Sequence, residues 1–228
     1  VKPDRVSTGS PALDDLLGGG LERRAITQIY GEPASGKSTL CLLAAVASLR
    51  AGNRVIYIDT EGFSVERFVQ ISGESAGEFA DRLYLFEPLD FTQQGAMIAD
   101  AEGLIRKGDR DPVGLLVVDS VTALYRTELG LGRETVRTLS HQMVKLLGLA
   151  KKYDIPALIT NQIYMDVERD RVAGLGGTAL EHISKTIIRL EKRDSVRRAM
   201  LVKHRSRPEG LSFDFLITDD GIRRLSGP

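Results

Sequence analysis

The chain has 228 residues, 42% of them hydrophobic, which suits one well-buried domain and is short for two. Lys plus Arg and Asp plus Glu number 31 each, which excludes nucleic-acid binding by bulk positive charge, so any DNA affinity has to come from a local patch. One cysteine, Cys41, excludes an internal disulfide, and no apolar run approaches the ~20 residues of a membrane span, so a cytoplasmic protein without a membrane partner is expected.

In chain order, an apolar strand at 26–30 leads into GEPASGKST at 31–39, with a helix over 37–51 that Gly52 and Asn53 stop. A strand at 55–59 precedes a helix at 65–73, and a strand at 83–86 precedes a helix at 92–107 that Gly108 ends. A strand at 115–119, a helix at 133–153 with Leu139, Met143, Leu146 and Leu147 as its core stripe, and a strand at 157–160 complete a βαβ rhythm. From Lys185 the pattern becomes antiparallel: segments 186–191, 199–204 and 212–218 alternate sides, with turns at 194–195, 208–210 and 220–221. The fold class read from this is α/β: a mainly parallel sheet flanked by helices, with a C-terminal antiparallel extension, in one domain over 1–228.

The stretch from Gly31 through Glu32, Pro33, Ala34, Ser35, Gly36 and Lys37 to Ser38 and Thr39 fits GxxxxGK followed by Ser or Thr, between strand and helix. Such a loop offers backbone N–H groups to phosphates at a helix amino terminus, while Lys37 reaches the terminal phosphates and Ser38 can ligate Mg²⁺. Right-handed crossovers put the carboxyl ends of all the parallel strands on one edge, so residues just after each strand face the nucleotide. Asp119, ending LLVVD, is placed to hold Mg²⁺. Glu61, in YIDTEG, is placed to deprotonate an attacking water, the alternative being a solvated loop glutamate. Asn161 and Gln162, in LITNQ, supply an amide for a γ-phosphate.

Taken together, STGSPALDDLLGGGLERRAITQIYGEPASGKST, YIDTEG, LLVVDS, ITNQ and KHRSRPEGL resemble the catalytic core of the RecA/RadA recombinases, and among them the archaeal RadB paralogue group, over essentially the whole chain. The resemblance implies a RecA-like ATPase using ATP and Mg²⁺, with weak hydrolysis, that binds DNA, single-stranded by preference, and regulates homologous recombination and repair. Implied partners are recombinase and Holliday-junction-processing proteins, with homo-oligomerisation as a further option. It makes Lys37 and Ser38 the phosphate and Mg²⁺ contacts, Asp119 the Mg²⁺-side carboxylate, Glu61 the base and Gln162 the γ-phosphate sensor. Arg67, in FSVER, matches an arginine that lies against adenine, in a stretch one residue shorter here.

Departures from the RadA pattern carry further expectations. The core begins at residues 7–9, so no separate amino-terminal DNA-binding domain is expected and autonomous filament growth should be weaker. The loop IYMDVERDRVAGLGG matches a recombinase DNA-binding loop, yet Asp166, Glu168 and Asp170 offset Arg169 and Arg171. The loop YRTELGLGRETVR is the better DNA candidate, through Arg126, Arg133 and Arg137 with Tyr125 stacking on a base, against the alternative of an ordinary polar loop. Arg193, Arg197 and Arg198 around the hairpin turn either touch DNA or simply solvate the turn, a solvated hairpin being the default. Lys203, His204, Arg205 and Arg207 replace an acidic, proline-containing stretch of RadA; they either reach a γ-phosphate across a subunit interface or form a basic strand end that is solvated or touches DNA. Two other functions stay open beside the regulatory one: an autonomous strand-exchange recombinase and a KaiC-like signalling ATPase. ATP could also act chiefly as a conformational ligand.

Overall fold

The computed structural model describes residues 5–107, 111–128, 133–166 and 171–226. A short strand β1 (Arg5–Val6) pairs antiparallel with β2 (Leu21–Glu22), and helix α1 (Pro11–Leu17) lies between them. Ser10 caps α1 by accepting the Leu13 N–H, Pro11 opens its first turn, and Gly18 stops it at φ 74°. Asp14 ties the STG segment to this helix, accepting from Ser7 Oγ, Thr8 N and Thr8 Oγ1 at 2.6 to 2.7 Å. Gly20 lies so close to the Val6 carbonyl that no Cβ would fit.

Five strands follow the expected parallel plan: β3 (Ile26–Gly31), β4 (Arg54–Asp59), β5 (Leu83–Phe86), β6 (Val113–Asp119) and β7 (Ala157–Asn161). They lie in the order β3-β7-β6-β4-β5. All but β5 are buried along their whole length, as strands covered on both faces must be. One face is covered by α1 with α2 (Lys37–Arg50), α3 (Val65–Ser72) and α4 (Ala76–Ala80). The other carries α5 (Phe91–Arg106), α6 (Ala123–Thr127), α7 (Arg133–Tyr153) and α8 (Gly177–Ile183). Leu139, Met143 and Leu146 form the buried stripe of α7, and Cys41 is buried within α2. α5 begins one residue before its expected start because Asp90 accepts the Gln93 N–H as its cap. The expected stop at Gly108 lies outside the described residues. No helix among the described residues is long and apolar enough to cross a membrane.

The C-terminal strands differ from expectation in one respect. Strand β10 (Thr186–Arg193), read from sequence as antiparallel, pairs in parallel with β3, Leu190 opposite Gly31. The reason is α8, a short crossover that turns the chain round before β10 begins; seven residues, GTALEHI, were too few to show a helical period. A hairpin of β8 (Ile163–Asp166) and β9 (Arg171–Gly174) fills the stretch before it. Antiparallel pairing starts only with β11 (Val196–Lys203), then β12 (Ser212–Thr218) and β13 (Gly221–Arg224), giving a sheet of nine strands. Because β11 runs against β10, Val196 stands near the carboxyl-end edge of the parallel strands while Lys203, opposite Ile187, stands at the other end.

Candidate nucleotide site

The loop from Gly31 to Lys37 leaves β3 at the carboxyl-end edge and enters α2. Gly31 is required by a close approach: a Cβ there would come within 2.5 Å of the Leu190 carbonyl and 2.8 Å of Ser35 Oγ. Gly36 caps α2 at φ 103°, and Ala34 takes the left-handed region at φ 58°. The loop closes as a turn in which Ser35 N–H donates to the Glu32 carbonyl at 3.2 Å. Lys37 is buried, and its Nζ donates to the carbonyls of Gly31 and Glu32 at 3.0 Å each. Burial lowers its pKa, against the opposing pull of Glu61 and Asp119. Ser38 and Thr39, with Asp59, Glu61, Arg67 and Asp119, help line a cavity of about 80 Å³ beside the loop. A larger open hollow of about 660 Å³ between α1 and β12–β13 gathers no comparable set.

Asp119 ends β6 and is 3% exposed. Its oxygens accept from Tyr57 Oη at 2.9 Å and Thr160 Oγ1 at 2.5 Å, and Ser38 also bonds it. Burial pushes its pKa up, while those three hydrogen bonds hold it back. Asp59 stands opposite Asp119 on β4 and accepts the Gly62 N–H at 2.6 Å; burial raises its pKa to about 6. Tyr57, Thr160 and Asp59 were not singled out from sequence. The available signal was position: Tyr57 and Asp59 share one side of β4, and Thr160 stands beside the amide pair at the end of β7.

Glu61 lies past the end of β4, and its Oε1 accepts from Ser120 Oγ at 2.8 Å and from Gln162 Nε2 at 3.1 Å. Three strand ends therefore meet on one carboxylate oxygen. The backbone of Gln162 is anchored too: its N–H donates to Thr122 Oγ1 at 3.1 Å and its carbonyl accepts from Leu175 N at 2.6 Å. Its Oε1 is buried with no protein partner. Asn161 separates from its neighbour in role. Its Nδ2 donates to the Leu175 carbonyl and its Oδ1 accepts from Gln28 Nε2, so this fully buried amide is spent on holding the β8–β9 hairpin to the sheet.

The other sequence expectations divide. Arg67 borders the cavity, but its guanidinium is tied to the carbonyls of Asp219 and Gly221 and to Gln70 Oε1. Tyr125 is corrected: it is 4% exposed and packs edge-on against Phe91 at 5.8 Å, so it offers no face for a base to stack on. Arg126 and Arg137 are exposed, whereas Arg169 and the side chains of Arg133 and Arg171 lie outside the described residues. The hairpin arginines are corrected as well: Arg197 Nε donates to the Ala34 carbonyl at 3.0 Å, and Arg198 makes a two-pronged pair with Asp214 at 2.7 and 2.9 Å. Lys203 donates to the Glu181 carbonyl, Arg205 pairs with Glu22 at 2.8 Å and Arg207 lies against Gly18, all far along β11 from this chain's own phosphate loop.

The donor set fits a Mg²⁺-nucleotide. Ser38, beside the buried Asp119, lines the small cavity with Glu61; the desolvated Lys37 and a loop in which a Cβ at residue 31 would clash adjoin it, and Gln162, with a buried unpartnered amide oxygen, is bonded to Glu61. Comparison with known proteins points the same way. The sequence model of the Rad51 family matches residues 4–225. A protein of Methanoculleus marisnigri named DNA repair and recombination protein RadB is 83% identical over 225 residues, covering 99% of this chain and 100% of that one. The proteins of that name from Methanococcoides burtonii and Archaeoglobus fulgidus are 46% and 44% identical, covering 98% and 95% of this chain and 99% and 97% of theirs. The crystal structure of the RadB recombinase matches with a TM-score of 0.82 at 40% identity, over 97% of this chain and 100% of that one.

Proposed function

The chain belongs to the Rad51 family and, within it, to the RadB group; from that premise we propose that it binds ATP with Mg²⁺, hydrolyses it slowly, binds single-stranded DNA and regulates recombinational repair alongside recombinase or junction-processing proteins. One observation carries the proposal: Gln162, Ser120 and Glu61, from three strand ends, converge on one carboxylate oxygen beside Lys37 and Asp119. The KaiC-like alternative has no remaining support once family membership is established.

Each residue has a physical task in this reading. The loop from Gly31 to Ser38 binds the phosphates, and Lys37 exchanges its two loop carbonyls for phosphate oxygens at little desolvation cost, since it is already buried. Ser38 and Asp119 hold the Mg²⁺, which neutralises phosphate charge when bound. Glu61 takes the proton of the attacking water, and Ser120 and Gln162 orient its carboxylate. Gln162 also stands at the root of the β8–β9 hairpin, so what happens at its side chain reaches a loop that matches a DNA-binding one. DNA contact falls to exposed cations on α6 and α7; Arg126 and Arg137 have no carboxylate partner among the described residues.

The test pairs two variants. Lys37→Ala should weaken nucleotide binding by on the order of a hundredfold and with it the effect of nucleotide on a labelled single-stranded oligonucleotide, while Glu61→Gln should keep nucleotide binding and lose hydrolysis. Oligonucleotide binding that ignores nucleotide in the parent chain and both variants would contradict the proposed coupling. If Glu61→Gln leaves partner binding intact, ATP acts as a conformational ligand; if it does not, the hydrolytic cycle matters. Filament formation on DNA by the chain alone would favour the strand-exchange alternative.

A further inference from the structure

The hairpin of β10 and β11 leans on the phosphate loop at three positions. The Leu190 carbonyl leaves no room for a Cβ at Gly31, Lys192 N–H donates to Glu32 Oε1 at 3.2 Å, and Arg197 Nε donates to the Ala34 carbonyl at 3.0 Å. The last contact has the most leverage. Ala34 occupies the left-handed region, which is unfavourable for any residue with a Cβ, so its conformation has to be held by its surroundings. The peptide that follows it is gripped from both sides. Its carbonyl accepts from Arg197, and its N–H, that of Ser35, donates to the Glu32 carbonyl. Lys37, by contrast, holds the carbonyls of Gly31 and Glu32 with the same ammonium that has to turn to a phosphate. The grip of Arg197 uses no group that the phosphates need.

The charge of Arg197 also sets it apart from its neighbours. Arg198 pairs with Asp214 and Arg193 pairs with Glu191 at 3.0 Å. Arg197 donates only to carbonyls, those of Ala34, Asp194 and Val196, with no carboxylate partner among the described residues. A guanidinium stays protonated throughout the working pH range, so this positive charge stands beside the loop without an ion-pair partner among the described residues.

We propose that Arg197 is a positioning residue for nucleotide binding, fixing the phosphate loop through the Ala34 carbonyl and adding beside it a positive charge that no ion pair takes up. The proposal rests on the nucleotide-site reading above. It assigns to β11 a part in phosphate binding that lies outside the phosphate-loop motif itself.

The experiment is a titration of the full chain with a fluorescent Mg²⁺-ATP analogue, comparing the parent with Lys37→Ala, Arg197→Ala and Arg197→Gln, and repeating it at high salt. Arg197→Ala should weaken binding about tenfold, the scale of one lost hydrogen bond with a charged partner. Arg197→Gln, which keeps a donor and drops the charge, should lose less, and its deficit should shrink as salt rises. It also serves if the alanine variant folds poorly. A purely structural arginine would lower the melting temperature and leave the affinity alone, so affinities within twofold of the parent in both variants, beside a defective Lys37→Ala, overturn the proposal. A parent chain that does not bind, or a Lys37→Ala variant that binds equally, removes the site reading and the proposal with it.

Discussion

The two ends of the parallel strands are built differently. At the carboxyl-end edge, side chains from β4, β6 and β7 meet around Glu61 and Asp119, and most of their polar atoms find partners from another strand. At the opposite edge, the cations Lys203, Arg205 and Arg207 gather around a His204 whose pKa burial lowers, but each answers to its own surroundings: the Glu181 carbonyl, Glu22, Gly18 and, for His204, the Ser206 N–H. The first arrangement is completed within one chain. The second cannot reach this chain's own phosphates, since β11 carries it to the far end of the sheet, so a phosphate it touches has to belong to another molecule.

Four substitutions sharpen that comparison. Lys37→Ala should have the largest effect on binding, removing the buried cation and weakening ATP affinity by on the order of a hundredfold in a titration. Glu61→Gln should slow hydrolysis by roughly 10²-fold to 10³-fold while leaving ATP affinity near that of the parent. Asp59→Asn tests the electrostatics of the same edge. Because burial raises the Asp59 pKa to about 6, the native chain binds more protons than the unfolded chain between the ordinary carboxylate value and about 6. Stability from this group is complete below that range and is lost as pH rises through it. The amide variant should therefore be more stable than the parent at pH 7 by roughly 1–2 kcal/mol in urea unfolding, with no advantage near pH 4. Arg205→Ala should have the smallest effect on the fold, about 0.5 kcal/mol, since its pair with Glu22 is half-exposed. Turnover should fall in this variant only at concentrations where chains associate; an equal loss in a proven monomer breaks the distinction between the two edges.

The same comparison explains what could be read from sequence. Strand-end residues were legible because a parallel sheet brings them together by topology alone: Lys37, Glu61, Asp119 and Gln162 needed only the βαβ rhythm to be placed on one edge. Partners fixed by side-chain reach were not. Tyr57 touches Asp119 from the neighbouring strand, and Asn161 is consumed by Gln28 and Leu175, neither of which a one-dimensional pattern reveals. Tyr125 stands in a loop-like stretch, yet α6 turns it against Phe91. Arg197 looked like one of three equivalent hairpin cations until β10 took its place beside β3 and set the turn against the phosphate loop.

The most direct test concerns Gln162, where the site meets the β8–β9 hairpin. Binding of a labelled single-stranded oligonucleotide should be measured for the parent and for Gln162→Ala, with ATP, with ADP and without nucleotide, over a series of salt concentrations. The parent should bind DNA with different affinities in the ATP and ADP states, and Gln162→Ala should bind both nucleotides while losing that difference. An ATP-to-ADP ratio unchanged by the substitution would contradict the claim that this amide couples the state of the nucleotide, through the β8–β9 hairpin, to DNA binding.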